Sequence, residues 1–194
     1  MRALVFVGLA ACTPTITSGA YDCGNQGLCP PGLVCNGSDN TCVDPIAAEP
    51  FACDPATLHE PDDSASQAFA LPTLDCVSNT YIDTGCLAAG DAQNWSKFTT
   101  PNNCAAVAVK ASIAFTIAFQ PLGLQLWDIT ANQMIATDDA CTTGVVAAGD
   151  TQRCLKHTLE NSKTYGIVVV PNGPDCGGTC NFNRYNITVQ LTTP

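Results

Sequence analysis

Thirteen cysteines in a chain of 194 residues constrain this molecule more than anything else in it. Thiols at that density stay reduced in a cytosol and pair in an oxidising compartment, so the composition predicts an exported, disulfide-stapled protein. Zinc is the competing use of clustered cysteines. Cys23, Cys29, Cys35 and Cys42 lack a C-x2-C pair and have no histidine nearby, which argues against a structural zinc site.

The N-terminus agrees with export. Met1-Arg2 is a minimal positive start, and Ala3 to Ala11 is an apolar run far shorter than the ~20 residues that span a bilayer as a helix. It reads as a signal peptide over residues 1–12. Its end, Leu9-Ala10-Ala11-Cys12, resembles the lipobox of bacterial lipoproteins, which implies lipidation of Cys12. Lipid on Cys12 leaves twelve cysteines, an even number suited to pairing. Thr13 follows, and by resemblance to enteric sorting rules the absence of Asp there implies passage to the outer membrane. The alternative is plain secretion after cleavage near Ala20.

Seventeen acidic residues stand against seven basic ones, for a net charge of -10, and the basic residues are scattered along the chain. The footprint needed to neutralise phosphates is missing, so no nucleic acid is expected as a partner. An acidic surface suits a solvated exported protein or one that takes up divalent cations.

Four regions follow the leader. Residues 13–21 form a small-residue tether, residues 22–43 (DCGNQGLCPPGLVCNGSDNTCV) a Cys-rich module punctuated by Pro30-Pro31-Gly32 and Asn36-Gly37, and residues 44–59 a linker. Residues 60–194 carry short runs of β texture. Tyr185, Ile187, Val189 and Leu191 alternate with polar residues, as a half-buried strand does. Leu122, Leu124 and Leu126 alternate likewise and lead through a polar turn to Met134–Thr137, the pattern of a hairpin. Thr164–Val170, Ala105–Ser112 and Asn94–Thr99 supply further strands, and no amphipathic helix stands out. The fold class is therefore all-β: an antiparallel, jelly-roll-like β-sandwich preceded by a small disulfide-rich module.

Five cues in order carry a family resemblance over roughly residues 53–192. They are Glu60-Pro61-Asp62-Asp63-Ser64, GDAQNWSKF at Gly90 to Phe98, LQLWDITANQMIATDD at Leu124 to Asp139, Leu159 to Val169, and the final YNITVQL. Together they resemble the bacterial pre-peptidase C-terminal domain, a β-sandwich appended to many secreted proteases. Asn94 and Ser96 depart from its pattern, and the extra cysteines are not a family requirement. In collagen-binding members the first two segments hold calcium, which the resemblance maps onto Glu60, Asp62, Asp63, Asp91 and Asn94. Clustered carboxylates with amide and carbonyl oxygens are the hard ligands that Ca2+ takes, so calcium is the candidate cofactor.

The Cys-rich module resembles the truncated EGF-like knots near the N-termini of bacterial surface lipoproteins, which implies the pairs Cys23–Cys35 and Cys29–Cys42. In the family pattern Cys141 and Cys154 flank one excursion between strands and would close it. Cys176 and Cys180 bracket Gly177-Gly178-Thr179, a loop supple enough to join its own ends. Cys53, Cys76, Cys86 and Cys104 then allow three pairings. A short-loop argument favours Cys76–Cys86 and leaves Cys53–Cys104.

Catalysis finds no linear support. His59 and His157 are the only histidines, neither belongs to HExxH, and no GxSxG elbow exists. Trp95 and Trp127 are expected in strands, and buried. The expected function is that of a non-enzymatic surface lipoprotein that binds or displays, with a membrane reached through its lipid and an extracellular protein or glycan as partner. A periplasmic hydrolase or its accessory is the rival, which a pocket gathering either histidine with two acids would favour. A stability module or protease inhibitor is the third reading, favoured by an exposed, disulfide-framed loop at Pro171 to Phe182.

Overall fold

The computed structural model describes residues 16–24, 27–45, 53, 59–76, 80–88, 91–116, 119–141, 150–173 and 183–194. Cys12 and the Cys176–Cys180 pair lie outside the described residues, as do the leader and most of the linker and of the loop at 171–182.

The Cys-rich module contains one small ladder, β1 (Val34–Cys35) against β2 (Cys42–Val43). Cys23 is bonded to Cys35 and Cys29 to Cys42 across it, a cross-linked core in place of the apolar one that so short a segment cannot build. The sandwich comprises β3 (Phe69–Ala70), β4 (Thr80–Leu87), β5 (Asn94–Thr99), β6 (Val107–Thr116), β7 (Leu122–Asp128), β8 (Gln133–Thr137), β9 (Asp139–Ala140), β10 (Asp150–Leu159), β11 (Thr164–Pro171) and β12 (Asn183–Thr192).

These strands form two five-stranded sheets, ordered β4-β12-β6-β10-β9 and β3-β5-β11-β7-β8. Every pairing is antiparallel except the two-residue contact of β3 with β5. Alternation explains the layering. Tyr185, Ile187, Val189 and Leu191 of β12 stand opposite Phe115, Ile113, Ala111 and Val109 of β6, and all eight are buried. Leu122, Leu124 and Leu126 of β7, with Phe98, Tyr165, Ile167 and Val169, complete the same core from the other sheet. Each Val, Leu, Ile or Phe side chain among them contributes about 1.5–3 kcal/mol when fully buried. Among the described residues no helix is long and apolar enough to cross a membrane.

Three further disulfides staple the sandwich, and two correct the expectation from sequence. Cys141 is bonded to Cys154. Cys53 is bonded to Cys86 and Cys76 to Cys104, with Cα separations of 5.7 and 5.5 Å, in place of Cys76–Cys86 and Cys53–Cys104. The short-loop argument assumed that residues 77–85 form a loop. Residues 80–85 instead belong to the eight-residue strand β4, which rises about 3.3 Å per residue and so carries Cys86 away from Cys76. The five disulfides among the described residues place the chain in an oxidising compartment, as an exported protein.

Candidate functional site: a carboxylate cluster at one end of the sandwich

The segment that opens the sandwich is pinned beside the start of β5. The Trp95 amide donates to the Asp62 carbonyl at 2.8 Å, and the Gln93 side-chain amide donates to the Asp63 carbonyl at 2.8 Å. Trp95 itself packs on the outer face of its sheet with Ala68 and Val168, tilted against half-buried Trp127 at 5.3 Å between ring centroids. Asp91 is held in the preceding turn, where its carboxylate accepts the Ala88 amide at 2.9 Å. These tethers bring two distant stretches of sequence together. Carboxylate oxygens of Glu60, Asp63 and Asp91 lie within 4.8 Å of one another at the surface.

The other two expected ligands turn inward. Asp62 is 4% exposed and Asn94 7%, and one side-chain oxygen of each meets no hydrogen-bond partner among the described residues. The Asn94 amide nitrogen donates to the Cys86 carbonyl and to the Tyr185 hydroxyl, both at 3.1 Å. Burial, reinforced by Glu60 and Asp63, pushes the Asp62 carboxyl up to about 7. Burial likewise raises Glu60, with Asp91 and Asp63 adding to it. Among the described residues, no lysine or arginine pairs with any of these acids.

Beside them runs a hydrogen-bonded chain that no linear motif announced. The His59 ring stacks on Phe69 at 3.8 Å and its Nε2 meets an Asp83 oxygen at 2.9 Å. The Tyr81 hydroxyl donates to the same oxygen. Burial works against the Asp83 charge, but the bonds from Tyr81 and His59 outweigh it and hold the carboxyl below its ordinary value. A histidine thus does meet two acids, Asp62 and Asp83, in one crevice. That crevice measures about 10 Å3, room for roughly one water and no substrate. His157 occupies an ordinary strand position in β10, opposite Val109.

Two further pairings were hidden in the sequence. Arg153 of β10 forms a close ion pair with Asp138, whose side chain is buried and also accepts the Leu124 amide at 2.9 Å. Asp138 lies where the chain crosses from β8 to β9, so this pair ties the two sheets together. The basic residues are also less scattered in space than in sequence, because Lys110 and Lys156 stand directly opposite each other on exposed positions of β6 and β10.

No protein-family model matches the chain, and no curated protein matches it. Among solved structures it is similar to the pre-peptidase C-terminal domain of a collagenase from Bacillus anthracis, at 14% identity and a TM-score of 0.40, over 64% of this chain and 93% of that one. It is also similar to Salmonella Typhimurium PliG, a periplasmic inhibitor of g-type lysozyme, at 14% identity and a TM-score of 0.42, over 64% of this chain and 98% of the other. The first is the domain type that the sequence cues resemble.

Proposed function

We propose that this chain is a non-enzymatic surface lipoprotein, anchored to an outer membrane by lipid on Cys12. Its β-sandwich binds or displays toward an extracellular protein or glycan, and calcium at Glu60, Asp63 and Asp91 stabilises the segment that opens it. The observation that carries the reading is the convergence within 4.8 Å of three carboxylates from two segments, with no lysine or arginine partner among the described residues. Mutual repulsion, about 1 kcal/mol for two unit charges 4 Å apart in water, opposes that arrangement, and a cation between them would relieve it. Calcium accepts six to eight oxygens at about 2.3–2.6 Å, so three carboxylates form a fitting part of its shell, the rest coming from backbone carbonyls and water. The crevice beside it supports a non-enzymatic role, since at about 10 Å3 it is too small to hold a substrate among its histidine and acids.

Thermal melts with calcium and with chelator are expected to separate, because an ion that binds only the folded state adds RT ln(1 + [L]/Kd), about 2.7 kcal/mol at a hundredfold excess over Kd. Asp63→Ala and Asp91→Ala should each abolish the separation. Superimposable melts would remove the site. For the anchor, Cys12→Ser is expected to end metabolic labelling by fatty acid and release the protein in soluble form. Unchanged membrane fractionation would rule the anchor out.

A further inference from the structure

The Cys-rich module is seated on the sandwich rather than strung beside it. Phe119 packs against Cys23 and Cys42 in a small cluster of its own, and the Arg184 guanidinium donates to the Ser38 carbonyl at 3.0 Å. Between module and sheet a cleft of about 410 Å3 remains open, within the volume range of small-ligand sites. Its two walls are built differently.

The module wall is the turn from Gly37 to Asn40, stiffened from within. The Asn36 amide donates to Ser38 Oγ and to Asp39 Oδ1, both at 2.9 Å, and the Thr41 hydroxyl donates to the same Asp39 oxygen at 2.7 Å. The Thr41 hydroxyl leads in holding the Asp39 carboxyl below its ordinary value, so it is charged at neutral pH. The sandwich wall carries Asp150, the first residue of β10, opposite Thr116 of β6. Asp150 is half-buried and has neither hydrogen-bond nor ion-pair partner among the described residues, and burial raises its pKa, with Asp22 adding to the effect. Ala114 and Phe119 add apolar surface to the lining, beside polar Thr84, Thr116 and Asn186. Arg184 is the single basic residue lining the cleft, and it is engaged by the module.

A half-buried carboxylate with no ion-pair partner among the described residues, a second carboxylate on the module wall and apolar lining from Ala114 and Phe119 together suit one group, the Arg184 guanidinium being turned to the Ser38 carbonyl. That group is a cation on an apolar stem, stabilised by charge at its head and by apolar contact along its length. We infer that the cleft between the Cys-rich module and the β-sandwich receives a lysine or arginine side chain of a protein partner, with Asp150 as its counter-charge. The inference rests on the reading that the sandwich binds an extracellular protein, and gives that binding a place and a chemistry.

The test is a titration of the soluble, disulfide-bonded protein followed by amide NMR. The probes are Nα-acetyl-lysine amide and Nα-acetyl-arginine amide, with Nα-acetyl-norleucine amide as the uncharged control. The basic probes are expected to shift the amides of Asp39, Asn40, Thr116 and Asp150 saturably in the millimolar range, and norleucine amide is not. Asp150→Asn should weaken the basic probes about fivefold, the size of one partly exposed ion pair. Asp39→Asn, on the opposite wall, should act in the same direction and serves if Asp150→Asn folds poorly. Equal shifts from the norleucine probe, or unaltered affinity in both variants, would overturn the cationic site. Absence of saturable shifts from both basic probes would also overturn it while leaving the surface-lipoprotein reading standing, because that reading is decided by fractionation and chelator melts.

Discussion

Gly85→Ala is expected to cost the sandwich about 3–5 kcal/mol, the sum of overpacking and a broken buried hydrogen bond. Gly85 lies in β4 directly opposite Tyr185 of β12, and the tyrosine ring covers it. A Cβ at Gly85 would stand 2.3 Å from Tyr185 Cζ, 2.4 Å from its hydroxyl oxygen and 2.5 Å from Cε2, well inside contact distance. The ring cannot swing aside freely, because Tyr185 is buried in the main core and its hydroxyl accepts the Asn94 amide at 3.1 Å. Displacing it would strip a bond from Asn94, which already carries a buried oxygen without a partner. Chemical denaturation would measure the loss, and a variant within 1 kcal/mol of the parent would show that the ring does not sit where this account needs it. The double variant with Tyr185→Leu should lose less than the two single losses added together, since removing the ring removes the clash.

The same strand shows where the sequence could be read and where it could not. β12 and β7 were legible because one face of each meets the core and the other meets water, so residue type follows position with a period of two. β4 breaks that rule. Its residues opposite the core positions Val189, Ile187 and Tyr185 are Tyr81, Asp83 and Gly85, while Ile82 points outward at 70% exposure. The inner positions serve the hydrogen bonds to His59 and the seat of the Tyr185 ring, so the apolar alternation that reveals a strand is absent. β10 is masked in a similar way, since Arg153 and His157 share its core-facing register with Leu155 and Leu159.

The candidate site divides along the same line. Glu60, Asp63 and Asp91 came into view with Asp62 and Asn94 because the family resemblance maps its calcium ligands onto these two short segments. Which of five neighbouring oxygen-bearing residues would face water depended on the direction each leaves the backbone, and residue type does not encode that. Asp62 turns inward because its own carbonyl is engaged by the Trp95 amide, and Asn94 because its amide bridges Cys86 and Tyr185. The cleft at Asp150 was further from view, because its walls belong to parts of the chain more than a hundred residues apart that meet only when the module docks.

The disulfides make the second large prediction. Non-reducing peptide mapping is expected to recover Cys53 joined to Cys86 and Cys76 joined to Cys104. These bridges close sequence separations of 33 and 28 residues. Constraint of the unfolded chain then stabilises the fold by roughly 3.5 kcal/mol for each. Replacing Cys76 and Cys104 together by alanine should cost at least that much, because Cys104 is also buried in the main core and its sulfur leaves a void. A loss below about 1 kcal/mol would mean that the unfolded chain is already compact there. A map joining Cys76 to Cys86 would reach further. Bringing those two cysteines within the roughly 4.4–6.8 Å that a disulfide spans would fold residues 77–85 back on themselves. Asp83 and Gly85 could then not hold their extended pairing with Ile187 and Tyr185, and β4 would be lost, together with the His59 and Tyr81 hydrogen bonds that depend on it.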